Sequence, residues 1–258
     1  MAEYFCGIPL GNYDAGFLKF VYFAASTSIF IMSDFKKLAA QACLQFIKPG
    51  QTIGLGAGTT TAHLVDYIAD NSALSVSLIF VSSSFKTRSY LQEKGLAVQF
   101  SALTDVLDIY FDGCDQFDAQ LNALKSGGAI HTSEKILAAM AKEFILIGDE
   151  AKSVAALDAT YPLVIEVLPE ALPAVLNRLA TVYPDASVSL RIGKEKDGAV
   201  ISDNGNYLAD IRFTVLPDIA ELNINVKMIP GIVDHSLFYQ LAAKAVVAGE
   251  KGIRILNR

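Results

Sequence analysis

The sequence predicts an α/β fold with a mostly parallel sheet and a smaller α+β lobe inserted into it. Short apolar runs that fit buried strands, such as residues 78–81, alternate with amphipathic helical patterns, and this alternation is typical of parallel βαβ units. From about Tyr161 the pattern changes to strands around a hairpin turn at residues 203–205. With 258 residues, of which 52% are apolar, the chain can bury one core with a small lobe attached.

The individual elements follow from hydrophobic periodicity and capping residues. The first helix is expected after Ser33 and Asp34, and a later one after a candidate N-cap at Thr132. The other elements predicted before the lobe are strands at residues 52–53, 78–81, 97–100, 106–111 and 144–147 and helices at 62–68 and 85–94. In the lobe they are strands at 163–168, 187–192 and 207–213 and helices at 169–180 and 218–225. Apolar residues 237–238 and 245–247 then return to the pattern of the main sheet.

These elements divide the chain into three parts. Residues 33–158 plus 229–258 are expected to form the main α/β domain, and residues 159–228 the inserted α+β lobe. Residues 1–32 are expected to be an N-terminal extension that need not be native, although a packed extension or a targeting segment would also fit. The apolar run at 20–32 is shorter than the roughly 20 residues that span a bilayer and lacks a basic flank, so no membrane association is expected.

Charge and cysteine content exclude several classes of protein. Acidic residues outnumber basic ones by 27 to 21, and the lysines and arginines are scattered, so no nucleic-acid partner is expected. The cysteines Cys6, Cys43 and Cys114 have no spacing typical of a zinc site or a disulfide framework. We therefore expect a cytoplasmic protein without a bound metal.

A glycine-rich loop, Gly54 to Thr60, joins a predicted strand to a predicted helix. Glycines let backbone amides approach a ligand, and a helix N-terminus favours an anion, so the loop is a candidate phosphate site. It lacks the lysine of a Walker loop, and Thr59 stands where the dinucleotide pattern needs its third glycine. A tight strand-to-helix turn without a ligand explains the same residues.

Charged residues follow the strand that is predicted to end at Asp112. Asp112 and Asp115 would lie at the carboxyl edge of the sheet, where they could bind sugar hydroxyls, bind a metal or cap a turn. Lys125 begins a second glycine-containing loop, and Glu134 falls in the first turn of the next helix, where the helix dipole alone would favour an acid. Cys114 is either a reactive thiol or a buried filler. His63, His131 and His235 are too scattered to predict a catalytic triad.

Taken together, these segments resemble the ribose-5-phosphate isomerase A family from Ser33 to about Leu256. The resemblance rests on eight motifs in register, and their order is specific where each alone is weak. They are GLGAGTTTAH at 54–63, VSSS at 81–84, DGCDQ at 112–116, KSGGA at 125–129, TSEKI at 132–136, DEAK at 149–152, SDNGN at 202–206 and IPGIVDHSLF at 229–238.

The resemblance implies a site for a sugar phosphate, with Glu134, Asp112 and Lys125 as the catalytic residues. Glu134 matches the family's proton-transferring carboxylate. The phosphate is expected to be held by Ala57, Gly58, Thr59 and Thr60 with Lys36 and Lys152 nearby, and the sugar by Asp112, Gly113, Cys114, Asp115, Lys125, Ser126, Gly127 and Gly128.

The resemblance also implies a Rossmann-like domain with a ferredoxin-like inserted lobe, assembled as a homodimer or homotetramer. The implied activity is the interconversion of ribose 5-phosphate and ribulose 5-phosphate in the non-oxidative pentose phosphate pathway, through an enediolate and without a cofactor. One mobile base and one cation suffice for that chemistry.

Some positions depart from the family pattern, and two other classes of protein share this kind of fold. Ala57, Cys114, Gln116, Ser126 and His131 replace the residues usual at their positions, which puts efficiency in doubt more than activity. A sugar-phosphate sensor would bind without turnover, but the first 32 residues carry no basic helix-turn-helix pattern. A transferase with a glutamyl-CoA intermediate would use Glu134 as a nucleophile, and that alternative stays open.

We predict that a chain starting at Met32 folds and works like the full chain, because the first helix cap and all eight motifs lie downstream. Thermal melting and steady-state kinetics of the two forms should agree. A melting temperature several degrees lower, or lost activity, would show that the preceding residues pack against the domain.

Overall fold

The protein is built on a six-stranded sheet, an antiparallel four-stranded sheet and a small three-stranded sheet. These are seen in a computed structural model that describes residues 34–194 and 197–258. The predicted N-terminal extension therefore lies outside the described residues. The strands are β1 (Thr52–Leu55), β2 (Ile79–Ser82), β3 (Ile109–Asp112), β4 (Gln116–Phe117), β5 (Ala123–Leu124), β6 (Phe144–Asp149), β7 (Leu163–Val167), β8 (Ser187–Leu190), β9 (Tyr207–Arg212), β10 (Ile232–His235), β11 (Leu237–Phe238), β12 (Lys244–Gly249) and β13 (Gly252–Asn257).

The six-stranded sheet has the order β13-β12-β6-β3-β1-β2, and all its pairings are parallel except that of β12 with β13. Because successive strand residues point to opposite faces, Phe111 packs on one side of the sheet and Tyr110 on the other. The helices are α1 (Phe35–Cys43), α2 (Thr59–Ala69), α3 (Ser72–Ser75), α4 (Phe85–Glu93), α5 (His131–Met140), α6 (Leu172–Val182) and α7 (Ile219–Lys227). Residues of α1, α2 and α4 cover the Phe111 face, and α5 covers the Tyr110 face. The predicted α/β fold is confirmed.

The antiparallel sheet has the order β10-β7-β9-β8 and packs against α6 and α7 around its own core. Asp218, the first residue of the predicted helix, is the N-cap of α7 and accepts from the amides of Ala220 and Glu221. Strand β10 belongs to this sheet although it follows residue 228, where the lobe was expected to end. The assignment of the lobe as a separate domain stays a prediction.

Several local predictions were wrong. Residues 97–100 form one isolated bridge, Val98 to Phe80, instead of a strand. Helix α5 begins at His131 with Ile130 as its N-cap, so Thr132 lies inside the first turn and does not cap it. Strand β11 pairs with β5 in the small sheet, not in the main one. The antiparallel strand β13 was missed, because its residues are largely exposed and give no buried apolar run.

Among the helices of residues 34–194 and 197–258, none has both the length and the apolar character needed to cross a bilayer.

A buried polar cluster joins α5 to β10. The imidazole of His235 lies next to the Asn223 carbonyl through Nε2, at 2.9 Å, and accepts from the Leu237 amide through Nδ1. Lys135 reaches the same Nδ1 at 3.3 Å and pairs with Asp234 at 2.7 Å. Burial, and then the charge of Lys135, lower the pKa of His235 to about 3, so the ring stays neutral in the folded protein.

We predict that His235 makes the protein acid-sensitive. Its pKa is lower in the folded state than in the unfolded state, so stability is present above about pH 6.5 and is lost as pH falls below that value. His235→Asn should be less stable than the wild type at pH 7. The difference between their free energies of unfolding should shrink by about 2 kcal/mol from pH 7 to pH 5, because the wild type loses stability as His235 becomes protonated in the unfolded chain, whereas Asn does not titrate. Denaturant unfolding of both proteins tests this, and parallel pH dependences would contradict it.

Candidate active site

A cavity of about 620 Å³ opens at the carboxyl ends of the parallel strands β1, β2, β3 and β6. This is the edge where open α/β sheets bind ligands, and the volume is in the range of small-molecule sites. The lining residues are Ala57, Gly58, Ser84, Phe85, Lys86, Asp112, Gly113, Cys114, Asp115, Lys125, Gly127, Gly128, Ile130, Glu134, Lys152 and Asp203.

The carboxylate of Asp112, at the end of β3, is almost completely removed from solvent and is surrounded by donors. Its Oδ2 accepts from the Tyr110 hydroxyl at 2.6 Å and pairs with Lys125 Nζ at 2.8 Å. Its Oδ1 accepts from the amides of Gly113 at 2.7 Å and Ala57 at 3.2 Å. Both oxygens are therefore engaged, which satisfies the buried charge and leaves Asp112 little capacity for a ligand.

Lys125 joins Asp112 to Glu134 in a buried triad. Its ammonium lies 3.4 Å from Glu134 Oε1, in addition to the contact with Asp112, and it also donates to the Gly113 carbonyl. Glu134 comes from the first turn of α5, which carries its carboxylate inward to the cavity. All three side chains are buried. Glu134 is therefore paired with a buried cation at the cavity, in addition to lying in the first turn of a helix.

The triad controls the acidity of its members. Burial, followed by the negative charge of Asp112, raises the pKa of Glu134 well above its ordinary value. Burial alone would lower the pKa of Lys125, but the charges of Asp112 and Glu134 together outweigh it and raise that pKa. A permanently charged lysine therefore lies beside a carboxyl group that holds its proton unusually well.

Two residues of the glycine loop, Gly56 and Ala57, pack directly against the Asp112 carboxylate. A Cβ on Gly56 would lie 1.9 Å from Asp112 Cγ, so only glycine fits beside the carboxylate. The Ala57 amide is directed to the same carboxylate. Gly58, with φ +96°, precedes α2, whose first amides lack partners within the helix and remain the candidate anion site of the loop.

The neighbouring residues of the DGCD and DEAK motifs hold backbone groups of the cavity wall. Asp115 accepts from the Ser126 amide, and Lys152 donates to the Cys114 carbonyl at 2.6 Å. Burial raises the pKa of the Cys114 thiol to about 12, so the reactive-thiol interpretation is not supported. Among residues 34–194 and 197–258, no cluster of three or more His, Cys, Asp or Glu has the geometry of a metal site.

The structure brings most of the residues implied by the resemblance to the cavity, but not all. Lys36, Thr59, Thr60 and Ser126 do not line it. The Ser126 hydroxyl donates to the Pro162 carbonyl at 2.6 Å, which turns it away from the cavity. The lining residues missed from the sequence are Ser84, Phe85, Lys86, Ile130 and Asp203.

A sequence signal existed for most of the missed residues. Ser84 ends the VSSS motif and caps α4, so Phe85 and Lys86 begin a helix at the same sheet edge as the glycine loop. Asp203 is the second residue of the SDNGN motif, which supports the resemblance and predicts a hairpin turn but gives no site residue. Its approach to the cavity depends on how the antiparallel sheet packs, which no local pattern encodes.

Two family models match the chain. The model described as ribose 5-phosphate isomerase A (phosphoriboisomerase A) matches residues 79–252. The model of the DeoR C terminal sensor domain matches residues 32–102, which end before Asp112, Lys125 and Glu134.

Individual proteins with the same description are similar along most of the chain. Ribose-5-phosphate isomerase A of Pyrococcus abyssi is 35% identical over 88% of this chain and 99% of its own, and that of Thermosynechococcus vestitus is 35% identical over 83% and 91%. A solved ribose 5-phosphate isomerase A from Methanocaldococcus jannaschii is 30% identical with a TM-score of 0.80, covering 87% of this chain and 99% of its own. A D-ribose-5-phosphate isomerase solved in complex with phospho-erythronic acid is 33% identical, also with a TM-score of 0.80, over 87% and 98%. The Rossmann-like fold implied by the resemblance is thereby confirmed.

We predict that Asp112→Asn lowers the pKa of Glu134 toward that of an ordinary carboxyl group, because it removes a buried negative charge that disfavours ionisation. Lys125 then pairs with Glu134 alone. The side-chain carboxyl carbon of Glu134, followed by ¹³C NMR across a pH titration, measures the change. An unchanged titration midpoint would contradict the electrostatic coupling.

Proposed function

This chain belongs to the ribose 5-phosphate isomerase A family, and we propose on that premise that Glu134 is the base of its reaction. The protein interconverts D-ribose 5-phosphate and D-ribulose 5-phosphate. The observation that carries the assignment of the base is the buried Lys125 ammonium, which lies between Asp112 and Glu134 at the cavity.

The reaction needs one proton to move between two adjacent carbons. Glu134 takes the proton from C2 of the open-chain aldose while the carbonyl oxygen on C1 gains a proton, which leaves an enediol or enediolate. The protonated Glu134 then returns its proton to C1, and the oxygen on C2 loses its proton to give the ketose. A raised pKa makes Glu134 a stronger base than an ordinary carboxylate, and Lys125 supplies positive charge for the developing enediolate.

Asp112 has a different role from the one implied by the resemblance. Its oxygens already accept from Tyr110, Gly113 and Ala57 and pair with Lys125, so it is poorly placed to accept a further proton or a sugar hydroxyl. We propose that it acts through its charge. It orients Lys125 and raises the basicity of Glu134.

The phosphate is proposed to lie at the opposite side of the cavity, on cations and helix N-termini. Gly58 lines the cavity directly before α2, whose first amides lack partners within the helix, and Lys152 lines it just after β6. Lys86, in the first turn of α4, adds a cation that the sequence had not indicated. Lys36 is not proposed as a contact.

A second candidate function is favoured by the match to the sensor-domain model. That model covers the glycine loop and the VSSS segment, which are the proposed phosphate-binding half, and none of the buried triad. A sensor binds its ligand without turnover. The triad favours catalysis, because a buried base beside a buried cation has no evident use in binding alone.

On the same family grounds we propose that the protein is a cytoplasmic homodimer or homotetramer that requires neither a metal nor a cofactor. We also propose that it is divided into a main domain and an inserted lobe.

We predict opposite kinetic effects for two residues of the cavity. Glu134→Gln removes the base but keeps the shape, so kcat should fall by on the order of 10² to 10⁴ with little change in KM. Lys152→Ala should chiefly raise KM, because a phosphate contact acts on the ground and transition states alike. A spectrophotometric assay with ribose 5-phosphate measures both.

Glu170→Gln serves as the matched control, since Glu170 is an exposed lobe residue outside the cavity. Solvent-deuterium exchange at C2 should disappear in Glu134→Gln and persist in the control. Near-normal kcat in Glu134→Gln would place the base elsewhere, and binding of ribose 5-phosphate without any turnover by the wild type would favour the sensor.

A further inference from the structure

The SDNGN motif at residues 202–206 takes no part in the proton transfer, yet its Asp203 lines the active-site cavity. Resting on the proposed isomerase function, we propose that Asp203 binds hydroxyl groups of the sugar and that buried Glu166 is the positioning residue that holds it there. The two residues lie on different elements of the antiparallel sheet region, in the Ser202–Asn206 turn and in β7.

The turn is closed by backbone hydrogen bonds and leaves Asp203 exposed. The Ser202 amide donates to the Asn206 carbonyl at 2.8 Å, and the Gly205 amide donates to the Ser202 carbonyl at 2.9 Å. Gly205 has φ +82°, which favours glycine at this point of the turn. Asp203 is the lining residue of the cavity that comes from this turn.

Glu166 fixes the turn through a single carboxylate oxygen. Its Oε1 accepts from the Ser202 hydroxyl at 2.7 Å and from the side-chain amides of Asn206 at 2.8 Å and Asn204 at 3.1 Å. Glu166 is 1% exposed, and within the described part of the chain no ion pair to it is found. Three of the five residues of the SDNGN motif thus serve the same buried oxygen.

A buried anion held by neutral donors is an unfavourable arrangement unless every donor is in place. Burial alone would raise the pKa of Glu166, but the side-chain donors around it, among them the three of the turn, outweigh burial and lower that pKa. The carboxylate is therefore charged, and charge-assisted hydrogen bonds to it are the strong kind. Loss of the charge should loosen the turn more than loss of one neutral contact.

The location of this network places Asp203 near the reacting end of the substrate. Glu166 pairs in register with Asp234 of β10, and His131 in the first turn of α5 lies 3.4 Å from the Asp234 carbonyl. Glu166 and its turn therefore lie close to the N-terminus of the helix that carries the base. Arg191, which directly follows β8, donates to the Ser126 carbonyl at 2.9 Å and so links the antiparallel sheet to the Lys125 loop. The cavity wall beside Glu134 is therefore completed by the antiparallel sheet.

The charge of Asp203 identifies the part of the substrate that it can bind. A carboxylate repels a phosphate group, whereas it accepts hydrogen bonds well, and its two oxygens can accept from two adjacent hydroxyls. The cations Lys86 and Lys152 also line the cavity and suit the phosphate. Asp203 consequently fits the sugar hydroxyls and not the phosphate.

The decisive experiment separates hydroxyl binding from phosphate binding. Asp203→Ala should raise KM for ribose 5-phosphate by about five- to tenfold, with kcat within about threefold, because a charge-assisted contact to the ground state is lost. The inhibition constant of inorganic phosphate, which has no sugar hydroxyls, should stay the same or decrease slightly. Asp185→Ala is the matched control, since Asp185 is an exposed lobe residue outside the cavity, and it should change neither constant.

The positioning role has its own readout. Glu166→Gln should raise KM, as Asp203→Ala does, without weakening inhibition by inorganic phosphate. The double variant should have the same KM as Asp203→Ala alone, because Glu166 acts through Asp203. Additive effects in the double variant would overturn the positioning role.

The Asp203 variant concerns an exposed side chain, so it tests the contact even if Glu166→Gln does not fold. An unchanged KM in Asp203→Ala, or equal weakening of substrate and inorganic phosphate, would overturn the proposal. A wild type that does not turn over ribose 5-phosphate would instead overturn the proposed function itself.

Discussion

The burial of the Asp112 charge is the constraint on which the rest of the site depends. A carboxylate that is removed from water is tolerated only with a cation and hydrogen-bond donors around it, because its desolvation is otherwise unfavourable. Lys125 provides the cation, and Tyr110, Gly113 and Ala57 provide the donors. The same requirement explains Gly56, whose missing side chain makes room for the carboxylate. Burial, and then the charge of Asp112, raise the pKa of Glu134, so the proposed base is tuned in part by a residue that need not touch the substrate.

The protein stabilises two buried carboxylates in two different ways, and the difference suits their proposed roles. Asp112 is paired with Lys125, whose charge also lies beside Glu134, where a developing enediolate needs it. Glu166 is held by hydroxyl and amide groups, which fix geometry without adding positive charge next to Asp203. A lysine in place of those donors would compete with the sugar hydroxyls for Asp203. The first carboxylate thus sets electrostatics, and the second sets position.

The departures from the family pattern are accommodated by backbone contacts and burial. Ala57 contributes its amide to Asp112, and this contact does not depend on the side chain. Ser126 directs its hydroxyl to Pro162, so the added side chain faces the antiparallel sheet region instead of the cavity. Gln116 donates to Asp158 at 3.1 Å, and Cys114 stays a protonated thiol.

The sequence by itself determined the parallel α/β fold, the sheet edge at which the cavity opens and most of the residues around the cavity, because hydrophobic periodicity and short motifs can be recognised locally. It could not show that Asp112 is saturated by Tyr110, Gly113, Ala57 and Lys125, since these contacts join β3 to separate loops. It also missed strand β13, whose exposed residues give no burial pattern, and it expected Lys36 and Thr59 at a cavity that they do not line. The place of Asp203 was decided only by tertiary structure, because the buried charge of Glu166 on β7 draws in a turn that begins 36 residues later in the chain.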